Sequence, residues 1–233
     1  MKQLLFLSLA INLLTSCDYT TGSGNIVTEK RAVGNFSGII ASSSIQIEVK
    51  IGSVADVQVE ADDNIIKHII TSVSDGILRI KTQNLHNISN AHIKVYITTP
   101  VLENITASAS ATVKVLDLIK DNNKLSFKAS SSADIEAEVD APEVETEANS
   151  SGSVTLKGRT KNYKAKVSSS GDINSAELLS ENTEVSASSS GSADVHASVS
   201  LLANASSSGS IDYYGTASVK QSVSSSGSVE KKN

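Results

Sequence analysis

The sequence predicts an all-β fold in which the chain winds into a solenoid of the parallel β-helix type, with rungs of roughly 18–22 residues. The first supporting observation is a serine-rich motif that recurs six times in the second half of the chain. Its last position is occupied by Ala133, Gly152, Gly171, Gly191, Gly209 and Gly227, at intervals of 18 to 20 residues. The second observation is apolar–polar alternation at a fixed phase after each motif. A constant period near twenty is typical of repeats that bury their apolar faces by stacking.

The beginning of the chain has the pattern of a lipoprotein signal. A short basic start is followed by an apolar run over residues 4–14, which as a helix would reach only about 17 Å and would not span a membrane. Small residues then precede Cys17, the sole cysteine, at the place where a lipobox carries its lipidated cysteine. We predict a signal peptide over 1–16, a lipidated Cys17 and flexible tether over 17–24, and one domain over 25–233. An ordinary signal peptide followed by a free thiol is the alternative.

Alternation after each serine motif predicts a strand with one buried face. Two residues beyond the last motif position, the residue is always apolar: Ile135, Val154, Ile173, Ala193, Ile211 and Val229. The following residue is always polar: Glu136, Thr155, Asn174, Asp194, Asp212 and Glu230. Because side chains alternate across a strand, the first set is predicted to face the core and the second to face solvent. At the corners, we expect glycine to supply positive φ and serine hydroxyls to bond nearby backbone.

The first hundred residues follow the repeat less closely. Segments 41–49 and 107–115 fit the template, with Ile47 and Val113 inward. Longer strands are expected between them, with a short capped helical turn within 62–70 and a hairpin turn at 74–76. Ten or so rungs, about 4.8 Å apart, would give a rod of roughly 45–50 Å.

Composition narrows the classes of function. The formal net charge is −5, so bulk charge predicts no nucleic-acid partner. With 3 Phe, 5 Tyr and no Trp, the core has to be aliphatic. The leucine–asparagine consensus of leucine-rich repeats is missing, which favours the β-helix over that solenoid.

The sequence resembles the head GIN domain family of auto-transporter adhesins over about residues 25–229. The resemblance rests on segments 24–27, 33–39, 45–49, 57–66 and 75–80, and on the Ser-Ser-Ser-Gly-Asp-Ile-Asn run at 168–174. This is a domain of unknown function that is common in Bacteroidetes envelope proteins. The resemblance implies a right-handed, single-stranded parallel β-helix behind a signal or lipoprotein leader, and it supplies no catalytic residues.

Two pairs of residues are candidates for surface binding. Asp194 and Asp212 are expected one rung apart on the solvent face, where a bound Ca²⁺ is conceivable but a solvated acidic face is the simpler interpretation. Tyr213 and Tyr214 would make a small platform for sugars, unless one of the rings fills the core.

Other polar groups give weaker signals. Asp62, Asp63 and His68 are interpreted as a helix cap and a surface turn, because nothing near them in the sequence completes an acid–base arrangement. The remaining histidines lack ligand spacing, so we predict no metal site, no cofactor and no catalytic residues.

The sequence therefore predicts a lipid-anchored binding or adhesin-like protein of the Gram-negative cell envelope, without catalytic activity. The membrane is its partner through the lipid anchor, and a glycan or an envelope or host protein is the expected ligand. The predicted location is the outer membrane, on either the periplasmic or the surface face. A polysaccharide lyase or hydrolase is one alternative, since some parallel β-helices are such enzymes, and a structural protein that binds another membrane protein is the other.

Overall fold

Short strands with alternating burial make up most of the computed structural model, which describes residues 20–83 and 88–233. The fold is all-β, with 65% of the described residues in strands. The strands are β1 (Thr20–Thr21), β2 (Ile26–Arg31), β3 (Gly38–Ala41), β4 (Gln46–Ile51), β5 (Asp56–Asp62), β6 (Ile69–Ser74), β7 (Ile77–Thr82), β8 (Ile88–Ser89), β9 (Ile93–Thr99), β10 (Asn104–Ala107), β11 (Thr112–Lys120), β12 (Lys124–Ser130), β13 (Asp134–Asn149), β14 (Ser153–Val167), β15 (Asp172–Ser175), β16 (Leu178–Ala187), β17 (Ser192–His196), β18 (Ser200–Ala205), β19 (Ser210–Tyr214), β20 (Ser218–Val223) and β21 (Ser228–Lys231). A 3-10 turn, Ile66–His68, lies between β5 and β6.

Apart from the short pair β1–β8, the strands belong to one hydrogen-bonded sheet that wraps around an aliphatic core, and we call its two sides sheet A and sheet B. Sheet A has the spatial order β2–β5–β9–β4–β11–β13–β14–β15–β17–β19–β21. Sheet B has the order β6–β7–β3–β10–β12–β13–β14–β16–β18–β20. The long strands β13 and β14 continue across the corner between the sheets and therefore belong to both. Inward side chains of both sheets meet in a single buried cluster of Ile, Val, Leu and Ala.

Each rung consists of a strand of sheet B, a serine turn and a strand of sheet A. From β10 onward the chain winds through about seven consecutive turns of about 19 residues, which confirms the predicted β-solenoid. Two further layers, β7 with β9 and β3 with β4, precede them in space. The described residues thus build nine layers, compared with the ten or so that the period suggested.

The predicted register is confirmed along the regular part of the rod. The six polar positions from Glu136 to Glu230 are successive partners in sheet A. The six apolar positions from Ile135 to Val229 form the neighbouring column, and the first five of them are at most 1% exposed. Ile47 and Val113 are buried in the same way, so the template also holds in the earlier segments.

The first layers are not stacked in chain order. Strand β4 lies between β9 and β11, and β3 lies between β7 and β10. The strands of the second layer in space, β3 and β4, therefore come earlier in the sequence than those of the first layer, β7 and β9. The chain leaves this layer to form the antiparallel strands β5 and β6, which with β2 close this end of the rod. Ile65, Ile66 and Ile69, around the 3-10 turn, seal the core beneath them. The predicted hairpin is present, with Asp75 and Gly76 both at positive φ.

Seven serine-rich corners share one backbone conformation. Two consecutive residues in each have φ of 47–63°: Ala109 and Ser110, Ser131 and Ser132, Ser150 and Ser151, Ser169 and Ser170, Ser189 and Ser190, Ser207 and Ser208, Ser225 and Ser226. The residue that follows each pair donates its N–H to the carbonyl of the residue that precedes the pair, at 2.8–3.2 Å. This bond and the two positive φ angles define a type I′ turn. In the first six corners, the second residue of the pair also donates its N–H to the next corner, at 3.0–3.1 Å, so the corners stack as a peptide ladder.

The expected role of glycine at these corners is wrong. The residues at positive φ are serines, with Ala109 the exception in the first corner, whereas the glycine that follows them in the last five corners is not at positive φ. Glycine is required there for space: a Cβ built on Gly209 would lie 2.5 Å from the carbonyl carbon of Ala187 in the preceding rung. The earlier corners carry Ala111 and Ala133 at the same position, both fully buried, so the crowding is specific to the later rungs.

The leader and the anchor are outside the part of the chain that the structure describes. The predicted signal peptide over 1–16 and Cys17 belong to this part and stay predictions. Within residues 20–83 and 88–233, no helix has the length and apolar character needed to cross a membrane.

We predict that Gly209→Ala lowers the free energy of unfolding by about 1–3 kcal/mol, the usual cost of overpacking, because main-chain atoms of the Ala187 carbonyl must move. Gly34→Ala is the control, because a Cβ built there has no heavy atom within 4 Å. Thermal and urea unfolding followed by circular dichroism measures both variants. An equal loss in the two would contradict the steric explanation.

Candidate functional site

The predicted acidic pair lies on the solvent face of sheet A, near the open end of the rod. Asp194 and Asp212 are direct register partners on β17 and β19, one rung apart as predicted. Asp212 is paired with Lys232, whose Nζ lies 3.2 Å from Oδ2. The same amine lies 2.8 Å from Glu230 Oε2. This lysine comes from beyond the last strand and neutralises part of the acidic column.

Burial and neighbouring charges both act on the carboxyl group of Asp194. The pKa of Asp194 is raised, first by burial and then by the negative charges of Asp212 and Asp172, while Lys232 acts in the opposite direction. The pKa of Lys232 is raised in turn by its hydrogen bonds to Glu230 and Asp212. In the described ranges, no group of three or more His, Cys, Asp or Glu side chains has the arrangement of a metal site.

The two tyrosines do not form one platform. Neighbouring residues in a strand point to opposite faces, and Tyr213 packs against the core in the column of Val195. Tyr214 is the register partner of His196 on the other face of the strand. The structure therefore brings Asp194 and Asp212 together, but it separates the two rings.

The polar run at 62–64 is neither a helix cap nor a simple surface turn. The 3-10 turn begins after Ile65 and has no side-chain cap. Asp62 is 1% exposed and accepts hydrogen bonds from the backbone N–H groups of Gly24 at 2.6 Å and His92 at 2.7 Å. We call Asp62, Asp63 and Asn64 the N-terminal clamp, because all three bond residues 21–25. His68 is not among the side chains bonded in this clamp.

Buried hydroxyl groups inside the rod form hydrogen bonds with other groups of the rod. Ser180 Oγ and Thr183 Oγ1 are 2.6 Å apart and both donate to the main-chain carbonyl of His196, not to its imidazole. Tyr163 shares a 2.7 Å hydrogen bond with Thr146 in the core, and burial raises the pKa of its phenol to about 12. Because these groups are buried and mutually satisfied, they are part of the core rather than of a reactive site.

A groove of about 710 Å³ lies on the outer face of sheet B. It crosses five neighbouring rungs, from β13 to β20, and is therefore roughly 19 Å long at the usual strand spacing. Two columns of side chains line it. The first contains Glu143, Asn162, Asn182, Ser200 and Ser218, and the second contains Glu145, Lys164, Glu184, Leu202 and Lys220.

Amide and hydroxyl groups of the first column are held by one another. Asn182 donates from Nδ2 to Asn162 Oδ1 at 3.2 Å, and Ser200 donates from Oγ to Asn182 Oδ1 at 2.8 Å. This ladder fixes the side chains, and an amide nitrogen carries two N–H donors, so donors remain for a ligand. Leu202, 39% exposed, adds an apolar contact in the fourth of the five rungs.

The charges of the second column largely cancel. Lys164 Nζ lies 3.2 Å from Glu184 Oε1, and Lys124, beside the groove, lies 2.7 Å from Glu145 Oε1. The hydrogen bond from Lys124 lowers the pKa of Glu145. The groove therefore presents a polar surface with little net charge, which suits an uncharged ligand rather than an anion or a cation.

Sequence reasoning did not single out this groove. Its residues lie on the strand before each serine motif, whereas the candidate residues were taken from the strand after it. The available signal was the Asn162, Asn182, Ser200 and Ser218 series, which recurs at the repeat spacing on the outward phase.

Fold and site together define a parallel β-solenoid with a polar groove on one sheet. Within that class, the chain belongs to the family described as "Putative auto-transporter adhesin, head GIN domain", whose sequence profile matches residues 35–217. The family associates the chain with the cell envelope or surface. Among curated proteins, no significant match was found.

Solved structures of low identity share the fold. A "putative adhesin" from Bacteroides fragilis NCTC 9343 has 22% identity and a TM-score of 0.83, covering 92% of this chain and 99% of that one. A "Putative lipid binding protein" from Parabacteroides distasonis ATCC 8503 has 20% identity and a TM-score of 0.75, covering 93% and 100%. A "putative adhesin" from the same organism has 24% identity and a TM-score of 0.66, covering 92% and 100%. At these identities the likeness shows the fold alone.

We predict that Asp194→Asn raises the melting temperature at neutral pH. A raised carboxyl pKa in the folded state means that ionisation destabilises the fold, so the cost is present at neutral pH and disappears below the ordinary Asp pKa of 3.8. The gain from the amide should therefore vanish at acidic pH. Asp134→Asn, which removes an exposed carboxylate from the same sheet, is the control. A gain that persists at low pH would argue against the electrostatic cause.

Proposed function

We propose that this protein is a lipid-anchored, non-catalytic binding protein of the outer membrane, whose ligand is an extended neutral glycan held in the sheet B groove. The single observation that carries the proposal is the groove itself, with its fixed amide–hydroxyl ladder and balanced charges. Neutral sugars offer hydroxyl groups to amide side chains and CH groups to an apolar contact such as Leu202. An elongated groove also allows several weak contacts to act on one chain, which raises the overall affinity.

Support for the anchor comes from the lipobox and from the family. Cys17 follows small residues at the end of an apolar segment, and the family is one of envelope or surface-associated proteins. Burial of acyl chains contributes about 0.8 kcal/mol per CH₂, so two or more chains would hold the protein firmly at the membrane.

The groove makes a direct prediction for ligand binding. Asn182→Ala combined with Leu202→Ala should weaken binding of a neutral oligosaccharide about tenfold, since the lost hydrogen bond and contact amount to roughly 1.4 kcal/mol. Glycan arrays would identify the oligosaccharide, and calorimetry would measure its affinity.

The matched control is Thr155→Ala with Asn174→Ala, which removes exposed polar groups from the outer face of sheet A. Equal affinity for the groove variant and this control would rule out the groove. If no glycan binds and crosslinking captures an envelope protein instead, the structural role replaces the glycan-binding one.

The anchor makes a second prediction. Cys17→Ala should abolish incorporation of labelled fatty acid and move the protein from the membrane to the soluble fraction. Ser16→Ala, which keeps a small residue before the cysteine, should behave as wild type. Membrane retention of the Cys17 variant would contradict lipid anchoring. Protease treatment of intact cells, with a blot against the domain, then distinguishes the surface face from the periplasmic face.

A further inference from the structure

The segment just after the predicted lipidation site is fixed to the capped end of the rod. The sequence predicts a flexible tether over 17–24, but within its described part β1 pairs with β8, and Gly22 donates its N–H to Ser89. Gly22 also packs so closely on Asp62 that a Cβ there would lie 2.5 Å from Oδ2. The prediction of flexibility therefore does not hold for residues 20–24.

The N-terminal clamp provides most of the bonds that hold this segment. The buried Asp62 accepts from the N–H of Gly24, as described above. Asp63 accepts from Ser23 Oγ at 2.6 Å and from Asn25 Nδ2 at 2.8 Å.

Asn64 completes the clamp by bonding on both sides. It accepts from the N–H of Ser23 at 3.1 Å and donates to the carbonyl of Thr21 at 2.8 Å. Hydrogen bonds from Ser23 and Asn25 lower the pKa of the Asp63 carboxyl, which favours its ionised form as the acceptor of both bonds. Each residue of the run thus contributes to one task, which is to hold residues 21–25.

Chain length then limits the distance between the anchor and the cap. Two residues separate Cys17 from Thr20, and three residue steps span at most about 10 Å. If residues 18–25 were free instead, eight residues could extend to nearly 30 Å. The clamp therefore decides how far the cap can move from an acyl chain on Cys17.

We propose that the N-terminal clamp docks the lipid-anchored end of the chain and holds the capped end of the rod against the lipid surface. The proposal rests on the lipidation of Cys17 proposed above. The described rod has nine layers, so its open end stands roughly 40 Å from the cap. The sheet B groove lies on the side of the rod in the last five layers, at the end distant from the membrane, where a ligand can reach it.

Energy transfer to labelled headgroups tests this geometry in the acylated protein. An acylated Cys17 leaves no free thiol, so a cysteine introduced by Lys67→Cys at the cap or by Ser207→Cys near the open end can be labelled alone. The full-length protein is purified from membranes and reconstituted into phospholipid vesicles that carry an acceptor on their headgroups. We expect severalfold higher transfer from the cap label than from the distal label.

Clamp variants supply the second measurement. Asp63→Ala with Asn64→Ala removes exposed bonds without emptying the buried Asp62 position, and it should reduce transfer from the cap label while the domain still unfolds cooperatively. Asp56→Ala, which removes a surface carboxylate paired with Lys30, is the control and should leave transfer unchanged.

The possible results separate the lipid anchor on Cys17 from the docking role of the clamp. Equal transfer from the two labels would mean that the rod lies flat and would overturn the proposed orientation. Unchanged transfer in the clamp variant would overturn the docking role. Mass spectrometry that finds no acyl group on Cys17 would overturn the anchor and this proposal together, whereas acylated protein with either unfavourable result would overturn this proposal alone.

Discussion

In-register hydrogen bonding between successive turns of the chain is the constraint on which the rest of the structure depends. Each type I′ corner donates an N–H to the next corner, and each strand pairs with the equivalent strand one rung away. Every rung must therefore adopt nearly the same backbone path. Serine at left-handed φ costs roughly 1–2 kcal/mol per residue, and the stacked peptide ladder and the core beneath it offset that cost. The same close stacking removes the space for a Cβ at Gly209.

The constraint also determines the chemistry of the surface, because equivalent side chains are placed about 4.8 Å apart along the rod. Where opposite charges alternate, as in Glu145, Lys164 and Glu184, the column neutralises itself. Where like charges follow each other, as in Asp194 and Asp212, ionisation is opposed and Lys232 is needed beside them. A solenoid of this kind binds through a column that extends over several rungs, and its filled core leaves the outer faces for ligands.

Features that depend on the repeat could be predicted from the sequence, whereas features that depend on distant contacts could not. The period, the inward and outward columns and the Asp194–Asp212 pairing follow from local alternation, and the structure confirms them. The insertion of β3 and β4 between later strands has no local signal, since strand order in space is set by long-range pairing. The clamp was missed for the same reason, because Asp62 and its partner Gly24 are 38 residues apart. The sequence predicts that the corner glycines adopt positive φ, whereas they are needed because a side chain would collide with the preceding rung.

The two ends of the rod solve the problem of exposed strand edges in different ways. At one end, antiparallel strands and three buried isoleucines close the core, and the clamp ties the start of the domain to this cap. At the other end, β20 and β21 have no partner beyond them in the described chain, and Val223 is 47% exposed. Both strands are short and carry Lys220, Glu230 and Lys231, charges of the kind that discourage edge-to-edge pairing. This difference agrees with the proposed orientation, in which the closed end is held at a surface and the open end lies in solvent.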